Sequence, residues 1–233
     1  MNKVPTGCSC IDSFLQGGVA PETLTLIYGE PETGKSTLAL QCAAHCALQL
    51  HLKTLYIDCD HTFAPERLSQ ITQHHFSQAA EQILLMRPND FAEQTAAVDN
   101  LADCVNQSFG LVVIDTFNSL YRARMAETAS KPKASFSVNR ELNRQMALLA
   151  QTAKTQHIPI IVTSQVRAKF DDPYVAVAPV ATRVVQFWAD TTIALKPTET
   201  PQIITATLKN RNPQEVTCTL RITQTGIHDH QIA

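Results

Sequence analysis

Short, continuously apolar runs alternate with longer segments of helical character over the first two-thirds of the chain. "TLTLIYG" (23–29), "KTLYIDC" (53–59), "QILLM" (82–86), "LVVID" (111–115) and "IPIIVTS" (158–164) read as buried strands. Between them, "KSTLALQCAAHCALQL" (35–50), "APERLSQITQHHF" (64–76), "DFAEQTAAVDNLADCVNQ" (90–107) and "VNRELNRQMALLAQTAKTQ" (138–156) read as helices. Pro65 stands in a first turn, where a missing N–H costs little, and Asp90 suits an N-cap. A strand that is apolar at every position is covered on both faces, and strands joined through helices run parallel. The last third changes character. "DTTIAL" (190–195), "QIITATL" (202–208) and "VTCTLRIT" (216–223) alternate more and are separated by short polar turns, so they read as antiparallel strands extending the sheet. The expected fold is α/β, a mostly parallel central sheet flanked by helices. With no repeat and no long linker, 1–233 is expected to form one domain.

Two stretches break this rhythm. Residues 118–137 and 167–182 each follow a strand and lack clear periodicity. Loops this long inside a compact domain are mostly functional or disordered. On a parallel sheet both would leave the carboxyl edge, where ligands bind.

Net charge is −2, so the chain as a whole is no polycation, and any nucleic-acid contact must come from a local patch. The seven cysteines show neither zinc spacing nor a C-x-x-C motif. No signal peptide is read, and no apolar run reaches the ~18 residues of a membrane helix. Reduced thiols in the cytoplasm, without a membrane partner, are therefore expected. Cys42 and Cys46 share a helix face and read as packing.

"GEPETGKS" fits the phosphate-cradle pattern G-x-x-x-x-G-K-[ST], with the strand before it and the helix after it that such a loop requires. The loop of Gly29, Glu30, Pro31, Glu32, Thr33, Gly34, Lys35, Ser36 and Thr37 would surround the phosphates of ATP, with a backbone N–H available as a donor from every residue but Pro31. Lys35 would reach the β- and γ-phosphates, and Ser36 would ligate Mg²⁺. Glu32 stands where such loops often carry glycine. A second acid for the metal is Asp115, at the tip of the apolar run "LVVID". Its alternative is to cap the helix that follows.

Beyond these motifs the chain resembles the core of RecA-family recombinases, within them the archaeal RadA/RadB branch. The matching stretches are "VPTGCSCIDSFLQGGV", "LYIDCDHTFAPERL", "LVVIDTFNSLYR", "NRELNRQMALLAQTA", "IVTSQV" and "LRITQTGI". The resemblance implies a RecA-like P-loop ATPase core. With only about four residues before "PTG", the resemblance implies the short RadB type, expected to have no separate N-terminal DNA-binding domain such as RadA carries.

Carried over by position, the resemblance makes Asp60 the water-orienting acid, where relatives have glutamate. The side chain is one methylene shorter, and a misplacement of about 1 Å can cost on the order of a hundredfold in rate. Helix capping is its alternative. His61 replaces a usual glycine. Arg67 matches an arginine that lies against adenine, or is an ordinary exposed residue. Gln165 matches a γ-phosphate sensor. The two irregular stretches match DNA-binding loops. The first carries Arg122, Arg124, Lys131 and Lys133 against Glu127, with Tyr121 and Phe136 placed to stack on bases. The second carries Arg167, Lys169 and Arg183, offset by Asp171 and Asp172, and has "PVAT" where relatives carry a Gly-Gly pair. Lys209 and Arg211 match a K-x-R that reaches a neighbour's γ-phosphate in assembled relatives, implying homo-oligomers. A charged edge strand is the alternative.

The resulting expectation is an ATP- and DNA-binding accessory protein of repair and homologous recombination, with weak ATPase activity. DNA, single-stranded or branched, and a recombinase or junction resolvase are the implied partners. A KaiC-like signalling ATPase and a non-hydrolysing, nucleotide-gated adaptor are the alternatives.

Overall fold

The apolar runs form strands as the pattern requires: β1 (Leu24–Gly29), β2 (Lys53–Asp58), β3 (Ile83–Met86), β4 (Phe109–Asp115) and β5 (Ile160–Gln165). The structure is a computed structural model that describes residues 3–165, 180–211 and 215–230. A sixth strand, β6 (Thr191–Pro197), pairs parallel with β1, where its sequence pattern predicts an antiparallel strand. Helix α9 (Val180–Trp188) precedes it and returns the chain as a crossover, so β6 belongs to the parallel half. Strands β7 (Ile203–Asn210), β8 (Glu215–Thr223) and β9 (Gly226–Asp229) then continue the sheet as antiparallel neighbours. The order is β3-β2-β4-β5-β1-β6-β7-β8-β9.

Helices cover both faces. On one side lie α1 (Ser9–Phe14), α2 (Lys35–Gln49), α3 (Pro65–Thr72) and α4 (Phe76–Glu81). On the other lie α5 (Phe91–Asp99), α6 (Leu101–Cys104), α7 (Ser119–Glu127), α8 (Pro132–Thr155) and α9. Side chains alternate between these faces along each strand. In β4, Leu111 and Val113 join the α2 side, whereas Val112 and Ile114 join the α8 side. Continuing the alternation, Asp115 falls on the α2 side. The same count from Tyr56 in β2 and Ile161 in β5 puts Asp58, Thr163 and Gln165 there too. The polar ends of three strands are thereby directed toward the N-terminus of α2.

Several helices differ from their expected extents. The segment 64–76 breaks at Gln73, whose φ is 51°, passes through a 3₁₀ turn (Gln73–His75) and resumes as α4. The segment 90–107 splits after Asp99 into α5 and α6, and Asp90 caps α5 by accepting from Glu93 N at 2.8 Å. The larger correction concerns 118–137. It is mostly helical, divided between α7 and an early start of α8, with Pro132 in the first turn, where its fixed φ suits a helix start. The polar surface of this segment hid its period.

The expectation of reduced thiols is also corrected in one place. Cys10 of α1 and Cys218 of β8 form a disulfide, with a Cα–Cα distance of 6.2 Å. The two residues are 208 positions apart, so spacing carried no hint of their pairing. Cys42 and Cys46 are buried, as expected. Among the described residues no helix is long and apolar enough to cross a membrane.

Candidate functional site

Between β1 and α2 the chain makes a tight loop. Gly29 allows close approach: a Cβ there would stand 2.2 Å from the carbonyl oxygen of Leu195. Gly34 has φ 85° and precedes α2 without a side-chain cap, so the first-turn N–H groups are left for an anion. Thr33 is buried and ties the loop by donating to Glu30 O at 2.9 Å. Lys35, also buried, donates from Nζ to the same carbonyl at 2.6 Å. Burial pushes its amine below the ordinary lysine range, while Asp115, Asp60 and Glu30 pull it back up. A buried cation at a helix N-terminus, aimed into its own loop, fits the phosphates of a nucleotide. Ser36 is exposed at that terminus and Thr37 half-buried behind it, and Pro31 and Glu32 are exposed. Glu32 has φ 64°, which explains why glycine is usual there.

Asp115 is 2% exposed and does not cap α7, whose N-cap is Asn118. Its carboxylate accepts from the Tyr56 phenol at 2.7 Å, from the Thr163 hydroxyl, and from the Thr116 hydroxyl at 3.2 Å. Such a carboxylate, close enough to Lys35 to act on its charge, suits a hydrated divalent cation held partly through water. Among the described residues no group of three His, Cys, Asp or Glu side chains is placed to hold a metal.

Asp60 is exposed on the turn after β2, close enough to Lys35 to act on its charge. That turn is built by Asp58, which is fully buried and register partner of Asp115. Asp58 accepts from Thr62 N at 2.9 Å, Phe63 N at 3.0 Å and Arg87 Nε at 3.2 Å. His61, at φ 57°, closes the turn with Nε2 2.9 Å from Pro88 O.

Gln165 ends β5 in register with Gly29. Arg122 donates to its Oε1 at 3.2 Å. Arg67 donates to the carbonyls of Thr223 and Gln224, at 2.8 and 2.7 Å, on the turn that follows β8. With Thr37, Gln202 and Arg221 it lines a cavity of about 590 Å³ beside the phosphate loop, large enough for a nucleoside base.

The cations of the first irregular stretch are unequal. Arg122 is engaged with Gln165, and Arg124 pairs with Glu127 at 2.7 Å. Lys131 and Lys133 are exposed and pair with no acid among the described residues. Phe136 is 67% exposed, whereas Tyr121 is 5% exposed, donates to Asn139 Oδ1 at 2.5 Å and packs edge-on against Phe91. Tyr121 is therefore a core residue and is removed from the candidate stacking pair. Arg167, Lys169, Asp171 and Asp172 lie outside the described residues. Arg183 is exposed on α9.

Lys209 and Arg211 pair within the chain, with Glu215 at 2.8 Å and Asp190 at 3.1 Å. β7 is bonded on both sides, so the charged-edge alternative for them falls. The sheet's edges are β3 and β9.

Tyr56, Asp58, Asn118 and Thr163 escaped notice in the sequence. Tyr56, Asp58 and Thr163 each sit two residues along a strand from another member of the site or next to one across a ladder, which is the signal available for them.

The Rad51 family profile matches residues 1–230. A protein named "DNA repair and recombination protein RadB" from Thermococcus kodakarensis is 34% identical over 229 residues, covering 96% of this chain and 98% of the relative. Its namesake from Thermococcus onnurineus is 33% identical, with 96% of each covered. That from Methanobrevibacter smithii is 30% identical over 232 residues, covering 97% and 95%. A solved structure described as "Crystal structure of the RadB recombinase" superposes with a TM-score of 0.79 at 31% identity, over 98% of this chain and 100% of that one.

Proposed function

The chain belongs to the Rad51 family, and from that premise we propose that it is an ATP- and DNA-binding accessory protein of DNA repair and homologous recombination, with slow ATP hydrolysis. The carrying observation is the phosphate loop with Lys35 buried in it and Asp115 opposite. Lys35 holds the β- and γ-phosphates, and the cavity beside Arg67 takes the base. Ser36 and Asp115 would hold Mg²⁺, which neutralises charge on the transferring phosphoryl group when bound. Asp60 orients the attacking water from one methylene too far back. DNA, single-stranded or branched, lies along the surface carrying Lys131, Lys133 and Phe136. A recombinase or junction resolvase is the protein partner class, and Lys209 and Arg211 serve a neighbouring copy if the chain assembles.

The test combines nucleotide binding with turnover, each with and without single-stranded DNA. Lys35→Ala loses nucleotide binding, because among the described residues no other cation is buried in the loop. Unchanged affinity in that variant removes the cradle assignment. Binding without any turnover favours the nucleotide-gated adaptor over the ATPase.

A further inference from the structure

Strands β8 and β9 form a hairpin that walls one side of the nucleotide site. Ile222 and Ile227 pack on Gly34 of the phosphate loop: a Cβ there would lie 3.2 Å from Cδ1 of Ile222 and 2.9 Å from Cδ1 of Ile227. Between them, the carbonyls of Thr223 and Gln224 accept from Arg67 at the rim of the cavity beside the loop. The N-terminal segment fastens this hairpin from behind. Asp229 of β9 accepts from Ser9 N at 2.7 Å and Cys10 N at 3.0 Å, at the start of α1. The Cys8 thiol donates to Ile227 O at 3.2 Å. Gln41 of α2 joins both parts: Nε2 donates to Thr6 O at 2.7 Å and Ile227 O at 3.0 Å, and Oε1 accepts from Ile227 N at 2.8 Å. The covalent member of this set is the Cys10–Cys218 bond. Cys218, Leu220 and Ile222 alternate onto one face of β8, so the bond pulls on the face that reaches Gly34. Cys10 is half-buried and Cys218 buried, which leaves Cys10 as the end open to an external thiol.

We propose that the Cys10–Cys218 bond is a redox latch on the nucleotide site. Closed, it holds the hairpin against Gly34 and the base cavity. Opened by a dithiol reductant, it lets α1 and the hairpin relax and weakens nucleotide binding. This rests on the nucleotide-binding reading above. One thiolate of the reductant attacks Cys10 Sγ, the Sγ–Sγ bond breaks, and Cys218 leaves with the electron pair and takes up a proton. The second thiolate then attacks the reductant's own sulfur in the mixed disulfide, freeing Cys10 as a thiol and closing the reductant into a disulfide. Two electrons and two protons pass to the protein. Linkage makes the effect mutual: bound nucleotide opposes reduction by the factor by which reduction weakens nucleotide.

The experiment measures the dissociation constant of a fluorescent, non-hydrolysable ATP analogue for the oxidised chain and after reduction by dithiothreitol, with circular dichroism monitoring the fold. Reduction weakens the analogue about fivefold or more, and reoxidation restores it. Cys10→Ser combined with Cys218→Ser binds like the reduced chain and ignores dithiothreitol. Cys10→Ala with Cys218→Val, which refills the buried position, gives the same readout if the serine pair fails to fold. Saturating analogue also shifts the exchange equilibrium with dithiothreitol, read by thiol labelling, by the same factor. Equal affinity in the oxidised and reduced chains overturns the inference. So does a reduced chain that unfolds at the assay temperature, since the bond is then a cross-link alone, and so does a dithiothreitol effect that persists without the two cysteines. An oxidised chain that binds no nucleotide overturns the functional reading itself, and the inference with it.

Discussion

The phenol of Tyr56 on β2 donates to Oδ2 of Asp115 at 2.7 Å, while the hydroxyl of Thr163 on β5 donates to Oδ1 from the opposite side. The carboxylate of β4 is therefore suspended between its two neighbouring strands. Burial, and then Asp115 itself, hold the Tyr56 phenol well above its ordinary range, so it remains a proton donor throughout neutral pH. Tyr56→Phe deletes a hydrogen bond to a buried charge, a loss of about 1.5–3 kcal/mol. In a domain of this size that lowers the melting temperature by roughly 2–4 °C per kcal/mol. The expected second effect is a changed Mg²⁺ requirement for nucleotide binding. A variant that melts with the native chain and needs the same Mg²⁺ would show that the phenol does not hold Asp115.

Asp60→Glu is expected to raise ATP turnover and leave ATP affinity nearly unchanged. The turn that carries position 60 is fixed by Asp58, so the added methylene extends toward the phosphates rather than being absorbed by loop movement. A rate no faster than the native one, measured by phosphate release, assigns the slow step to another group.

Lys131→Ala combined with Lys133→Ala is expected to account for most of the salt dependence of single-stranded DNA binding. Removing one lysine–phosphate pair lowers the slope of log K against log salt by about 0.7. Arg124→Ala changes it less, because Glu127 already neutralises that side chain. Equal effects from all three positions would contradict this ranking.

Glu32→Gly is expected to stabilise the chain slightly. The left-handed backbone at position 32 costs a side-chain-bearing residue about 1–2 kcal/mol, and part of the gain is offset by the greater freedom of glycine when unfolded. Losing a carboxylate beside the phosphate loop also tightens nucleotide binding. Weaker binding in a stable variant would mean that Glu32 contacts the ligand favourably.

Thiol labelling separates the seven cysteines. In the native chain only Cys104 reacts, since it alone among the free cysteines is exposed. Burial pushes the Cys8 thiol up to about 12 and that of Cys46 to about 11, so neither supplies thiolate at neutral pH. Unfolding without reductant exposes five thiols, and reduction brings in Cys10 and Cys218. Replacing Cys10 with serine removes a cross-link worth on the order of 2–5 kcal/mol. Seven reactive thiols after unfolding without reductant would exclude the bond.

The first five strands, the loop from β1 into α2 and the place of Asp115 at the end of β4 were legible because each depends on neighbours in the chain. A parallel strand must be apolar on both faces, and a phosphate loop must pass from strand to helix within a few residues. The segment 118–137 was illegible as helix because its surface is polar and charged, so burial left no period to read. Tyr121 looked available for stacking for the same reason: only the packing of α5 and α8 around it shows that it is buried.

What the sequence by itself determined is the order of elements, the strand–loop–helix that carries "GEPETGKS" and the family resemblance, all carried by residues adjacent or evenly spaced along the chain. What the tertiary structure decided is who holds those residues in place. Tyr56 and Thr163 reach Asp115 across 59 and 48 positions, and Asn118 reaches Gln165 across 47. No local rule relates such pairs. Thr163 follows the Ile114–Val162 pair on the strand beside Asp115, Tyr56 shares its face of the sheet two residues before Asp58, the register partner of Asp115, and Asn118 lies past the end of β4, where the chain turns into α7; strand register and the packing of helices on both faces set these places.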